Sequence, residues 1–450
     1  MLEERIAEWR AYVGRREAIH TADVDELEDH LRSEMADLRQ AGLDEDEAFL
    51  IAVKRIGGLE ALSREFAQEY SERLWKGLVV APDAAESGAG WNLEALVAVG
   101  LAVAAGAAIK VPELFGLHLD GTEPDAFFYL LNYSLFVLPF LAIFFAWKRA
   151  VAPSRRVWLA APFIVAALVV NLLPFTSGGD TQVLAALHLP MALWLAVGVA
   201  YAGGAWRDHA QRMNYVRFSG EWFIYLALIA AGGGVLIAST FFIFESIGRD
   251  PQWFMEGWML PCGIMGAVII AGWLVEAKQS VVENMAPVLT LLFTPLFTLV
   301  LLAFLGTMVL TGSGIDMGRE NLIGFDLLLV VVVGLLLYAI SARDPQAEPG
   351  FFDGLQLALV VCALLVDAVA LWAILARISE FGFSPNRVAA LGENLILVVN
   401  LAWSAVLYAR FLARRGTFAP LERWQTAYLP VYAVWAWVVV VVFPLVFRFQ

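Results

Sequence analysis

The chain has 450 residues, 60% of them hydrophobic and 16% charged, with a formal net charge of −14. Soluble domains average about 45–50% apolar and about 25% charged residues, so this composition excludes a purely soluble protein and indicates a polytopic membrane protein. Residues 1–90 hold 11 basic and 21 acidic side chains, which argues against nucleic acid or anionic lipid as the partner of that segment.

The opening MLEERIAEWR is charged and amphipathic and has no apolar core, so no cleavable signal peptide is expected. Leu2, Ile6, Trp9 and Val13 share one face of a first predicted helix. A second helix starts at Thr21 or Asp23, where Asp23 and Glu26 have capping-box spacing. It carries Val24, Leu27, Leu31 and Leu38 as its apolar stripe and ends at Gly42. A third opens in DEDEAF, whose acidic residues suit a helix N-terminus, and buries Phe49, Ala52, Val53 and Ile56 before Gly57-Gly58. A fourth carries Leu59, Leu62, Phe66 and Tyr70. None of these amphipathic helices is stable alone, so residues 1–76 are expected to form a compact helical bundle. Residues 77–90, GLVVAPDAAESGAG, have linker composition.

On AGLDEDEAFLIAVKRIGG, with LSREF following, residues 1–72 resemble the permease prefix domain and the related HAAS signalling domains. The resemblance implies a cytoplasmic helical module that binds a protein partner ahead of a bacterial membrane permease. Such modules are often encoded beside PadR-type transcription repressors.

From residue 91 onward, apolar runs between polar breaks predict eleven spans, since about 20 apolar residues cross the hydrocarbon as a helix. They lie near 92–111, 126–147, 157–175, 182–206, 221–244, 254–276, 286–310, 322–341, 352–376, 389–410 and 426–447. With the amino terminus inside, 13 basic residues fall on cytoplasmic connections and 6 on outer ones, as the positive-inside rule requires. The carboxy terminus is then expected outside the bacterial inner membrane. Gly232-Gly233-Gly234 and the pair Gly263 and Gly266 suggest close helix packing. Pro261, Pro287 and Pro295 are candidate helix breaks. Cys262 and Cys362 sit in apolar runs and are expected to be buried, free thiols.

The polar centre of the membrane region is expected in residues 359–403. Asp367 lies mid-span, and Arg377, Glu380 and Arg387 crowd the following turn. Glu393, Asn394 and Asn400 lie on the next span. Charges at membrane depth are costly and mark functional or tightly partnered positions. Asp367 is therefore either a cation or proton site or one end of an interhelical hydrogen bond. The turn charges suggest an ion-pair network in which Glu380 or Glu393 partners Arg387, with anion binding as the alternative. Glu393 is placed about one helical turn below the outer surface, with Asp367 deeper. Asp326 and Glu94, near span ends, are expected to snorkel to water.

The segment ARISEFGFSPNRVAALGENL, followed by TAYLPVYAVWAWVVVVVFPL, resembles the bacterial membrane family known as domain of unknown function 4153. Its shared core here is Arg377, Ile378, Gly382, Pro385 and Arg387. That family has no established chemistry, so the resemblance implies a location and not an activity.

No phosphate-binding loop, HExxH or Cys/His cluster, or G-x-S-x-G elbow occurs, so no catalytic residue, cofactor or metal is expected. His20, His30, His118, His188 and His209 lie on separate segments. The leading expectation is an all-α protein with a small soluble bundle and about 11 spans, acting as a sensor or regulated permease. A secondary transporter with Asp367 and Glu393 on its path is the alternative, and a scaffold without transport is a third.

Overall fold

The computed structural model describes residues 93–450, apart from 120, 122, 247, 278–284, 312–318 and 450, together with scattered positions between 6 and 52. The chain divides into two compact units, Met1–Gly90 and Trp91–Gln450. In the first unit Ile6, Leu31, Met35, Leu38, Ala48, Phe49 and Ala52 are helical and pack as one buried cluster. Ile6, Leu31, Leu38, Phe49 and Ala52 occupy the apolar stripes of the first three helices. Glu28 and Arg32, four residues apart, form an ion pair at 2.9 Å on the surface. The fourth helix and the linker lie outside the described residues.

The second unit is helical, with no strand among the described residues. Its elements are α1 (Leu93–Ala108), α2 (Glu123–Asn132), α3 (Leu138–Lys148), α4 (Pro153–Leu172), α5 (Asp180–Tyr201) and α6 (His209–Ser246). They continue as α7 (Gln252–Ala277), α8 (Met285–Thr311), α9 (Arg319–Ala342), α10 (Phe351–Phe381), α11 (Pro385–Leu412) and α12 (Ala419–Val446). Among the described residues ten of these are long and apolar enough to cross a membrane. The chain is a multi-pass membrane protein. The second expected span, 126–147, is not one helix but the broken pair α2 and α3. Pro139 explains the break, because its ring would clash with the Leu135 carbonyl in a continuous helix. Asn132, at the end of α2, exchanges amide hydrogen bonds with Asn171 of α4 at 2.8 and 3.1 Å.

Two further boundaries depart from the hydropathy reading. Helix α6 starts at His209 rather than near 221, and Met213, Tyr215, Val216 and Phe218 on its first turns are buried. Pro295 sits inside an unbroken α8. Pro261 does mark an irregularity, since the π-helical stretch Met255–Met259 precedes it in α7. Lacking an N–H, Pro261 leaves the Gly257 carbonyl without its helical donor. Lys110 takes up that carbonyl at 2.6 Å and also pairs with Glu113. Close packing at Gly232, Gly233, Gly234 and Gly263 is overturned, because a Cβ at any of them would meet nothing within 4 Å. Close approaches occur elsewhere, as at Gly198 against Tyr215, Gly220 against Tyr338 and Gly392 against Trp435. Both cysteines are free, and Cys362 is buried.

The ion pairs order the helix ends. Lys148, closing α3, bridges Glu94 of α1 at 2.5 Å and Glu276 of α7 at 3.2 Å, and Arg149 reaches Glu276 at 2.8 Å. Glu94 is therefore paired, not snorkelling. At the same end Arg149 donates to Tyr201 O at the close of α5, and Arg217 of α6 donates to Ser341 O at the close of α9. At the opposite end the Thr176 amide after α4 donates to Phe449 O after α12 at 3.1 Å. With α2 and α3 counted as one segment, eleven segments thus alternate in direction. The start of α1 and the end of α12 lie at opposite ends of the unit.

Buried apolar side chains form two large clusters. One joins α1 to α5, α7 and the first turns of α6. The other joins α8 to α12, again with the start of α6 through Met213 and Val216. The first cluster also takes in Val440 of α12, and a smaller one packs Leu184 of α5 on Ala389 of α11 and on Val439 and Phe443 of α12, so the membrane unit is two packed bundles that share α6 and α12 and meet along a seam.

Candidate functional site

The seam encloses a half-open cavity of about 610 Å³. Tyr133, Trp194 of α5, Trp222 of α6 and Met265 of α7 face it from one side; Val333 of α9, Glu393 of α11 and Trp435 of α12 face it from the other. Its surface is almost wholly apolar, and its ionisable residues besides tyrosine are His188 and Glu393. Gly392 explains how Trp435 comes to lie against α11. A Cβ there would stand 2.0 Å from the indole Cη2, so any larger residue would push the ring away.

His188 is buried on α5, and its Nδ1 is 2.8 Å from the Leu184 carbonyl of the preceding turn. A carbonyl only accepts, so Nδ1 carries a hydrogen and Nε2 is the ring's other functional atom. Nε2 lies 3.2 Å from Glu393 Oε1, an ion-pair distance, although the angle is not that of a hydrogen bond. The contact is attractive only when one proton is shared between the two groups, as imidazolium with carboxylate or imidazole with carboxylic acid. It joins the two bundles directly across the seam. Glu393 stands eight residues into α11, about 12 Å from its start at 1.5 Å per residue.

Behind Glu393 the acidic groups continue. Asn394, fully buried, donates to Asp326 Oδ1 of α9 at 2.8 Å and to Ala390 O at 2.8 Å. Asp326 is thus held against α11 and does not snorkel to water. It interacts electrostatically both with Glu393 and with Asp367 of α10. Asp367 is 0% exposed, and neither carboxyl oxygen has a hydrogen-bond partner among the described residues. The expected interhelical hydrogen bond to Asp367 is therefore not formed among them. Four titratable groups, Asp367, Asp326, Glu393 and His188, succeed one another from α10 to α5.

The remaining expected residues do other work. Arg387 Nη1 donates to Phe381 O at 3.1 Å and Gly382 O at 2.8 Å, and its guanidinium lies over the Phe381 ring. It caps the α10 C-terminus, whose last carbonyls lack helical donors, and pairs with neither Glu380 nor Glu393. Arg377 is half-buried and Glu380 exposed at the end of α10. Asn400 belongs to a separate, closed network between α11 and α12. Its side chain exchanges hydrogen bonds with Gln425 at 3.2 and 3.3 Å, and Gln425 also donates to Ser404 Oγ at 2.7 Å. Ser404 and Trp424 donate to the Asn400 carbonyl. The expected hairpin site therefore separates into a helix cap, an interhelical tie and the acidic series that leads to the cavity.

Sequence reasoning missed His188, Asp326 as a partner, and Glu276. His188 stood as a lone histidine, yet an ionisable group in the middle of an apolar run was the available signal. Glu276, its side chain 1% exposed between Lys148 and Arg149, was hidden at the edge of its span.

Comparison of this chain with protein-family models, with curated proteins and with solved structures finds no match.

Proposed function

We propose that the chain is a ligand-responsive, permease-like protein of a bacterial inner membrane, a sensor or regulated permease, and that the seam cavity is its binding site. The observation that supports this is the position of the cavity on the seam between two packed bundles, lined by helices of both. Its size falls within the range of about 300–1,000 Å³ typical of small-molecule sites. An occupant touches both bundles, so any difference in its affinity for an open and a closed seam shifts that equilibrium. On this reading residues 1–76, which resemble a permease prefix or HAAS module, bind a cytoplasmic protein partner. The excess of basic residues on one set of connections supports an amino terminus inside and a carboxy terminus outside.

The test uses the full chain in lipid nanodiscs and a neutral apolar fluorophore, N-phenyl-1-naphthylamine. Saturable binding above that of empty nanodiscs is expected. Gly334→Phe should abolish it, because Gly334 lines the cavity and a Cβ there meets open space. Binding that is unsaturable, or unchanged by Gly334→Phe, would overturn the assignment. The acidic series favours a second reading, a secondary transporter with Asp367 and Glu393 on an ion path. Uptake of the fluorophore into proteoliposomes, driven by a pH gradient and lost in Asp367→Asn, would select it over a sensor.

A further inference from the structure

The cavity wall carries a chemical preference that its size alone does not. No lysine or arginine lines it. Glu393 is its carboxylate and interacts electrostatically with another acid, Asp326, which in turn interacts with Asp367. An anionic ligand head would meet these acids with no fixed cation to offset them. Tyr133, Trp194, Trp222, Tyr432 and Trp435 make the wall aromatic. Trp194 and Trp222 stand 4.4 Å apart between ring centroids, and their N–H groups are already spent on Ser219 Oγ and Val268 O. Faces of such rings attract cations, most strongly away from water. The His188–Glu393 contact, finally, is attractive only while it holds a proton, which is itself a bound monovalent cation.

We propose that the seam cavity binds a monovalent lipophilic organic cation, whose charge settles against Glu393 and displaces the proton held between Glu393 and His188. The assignment rests on the cavity reading above and names its ligand class. The exchange is balanced: one cation enters, the shared proton leaves to solvent, and the pair is left as a Glu393 carboxylate beside a neutral His188 imidazole. The titratable groups facing the pair from the packed helices are Asp326 on α9, with Asp367 on α10 behind it, Tyr432 on α12 and Tyr133 before α3. The walls from α6 and α7 contribute Trp222, Ile264, Met265 and Val268, none of which titrates.

The experiment uses the full chain in nanodiscs with tetraphenylphosphonium as the cation, tetraphenylborate as its anionic isostere and N-phenyl-1-naphthylamine as the neutral probe. The cation should bind tighter than the anion, and its affinity should rise with pH, approaching tenfold per unit where the free pair holds its proton. A weakly buffered sample should release about one proton per cation bound, a measurement that needs no variant. Glu393→Gln should weaken the cation at least tenfold and flatten its pH dependence while leaving the neutral probe bound. Asp326→Asn should keep the proton release. Saturable binding of the neutral probe with no preference for the cation, or with no proton release, would overturn the cation assignment and leave the cavity reading standing. Failure of every probe to bind above empty nanodiscs would overturn both.

Discussion

Arg387 shows how one side chain can be placed correctly and paired wrongly. Its position in a tight, charged turn was evident, but reading charges against charges assigned it a carboxylate. The end of α10 offered nearer acceptors in Phe381 O and Gly382 O. Replacing it by alanine uncaps those carbonyls, so Arg387→Ala should cost about 1.5 kcal/mol of stability, the scale of a hydrogen bond to a charged donor. Glu380→Ala should cost nothing measurable. Thermal unfolding of both variants in detergent checks the contrast, and equal losses would restore the ion-pair account. At Gly392 the argument is steric. Gly392→Ala sets a methyl 2.0 Å from Trp435, so the ring must move or the helices part. An overpacking cost of about 1–3 kcal/mol is expected, together with an altered tryptophan emission spectrum.

Between helices, the Asn400–Gln425–Ser404 network ties α11 to α12 with three side-chain hydrogen bonds. Each amide acts as donor and acceptor, so removing one leaves the other's hydrogen-bonding groups buried without partners. Asn400→Ala and Gln425→Ala should each destabilise, and the double variant should lose less than their sum. A coupling energy of about 0.5–3 kcal/mol in a thermal double-mutant cycle is the expected reading. Additivity within error would show that the two amides do not act together. At this scale the sequence was legible where hydrophobic length decides, and most segments fall close to their apolar runs. The second segment was not, because average hydropathy is blind to the backbone clash that Pro139 imposes. Nor did the first turns of α6 register, since Arg212 and Arg217 mask the buried Met213, Tyr215, Val216 and Phe218. The hairpin residues Asn394 and Glu393 meet Asp326 and His188, which come from helices distant in sequence, and no local spacing reveals such partners.

Across the whole molecule, the alternation of eleven segments predicts that the ends of the membrane unit face opposite compartments. Reporter fusions after Gln450 and within the turn 202–208 should therefore report opposite sides of the membrane, and agreement between them would break the alternation. Helix α6 adds a mechanical consequence. At 38 residues it is about 57 Å long against a hydrocarbon core of about 30 Å, and it contains no proline. Its opening turns are wedged into both bundles, whereas none of its described residues after Glu221 is buried. A rod held at one end and bathed along the rest tilts to match the lipid around it, at a cost of fractions of a kcal/mol per ångström of mismatch. On the proposed sensor reading that tilt would reach the held end, where the bundles meet, so bilayer thickness would be an input to the seam alongside any molecule bound there.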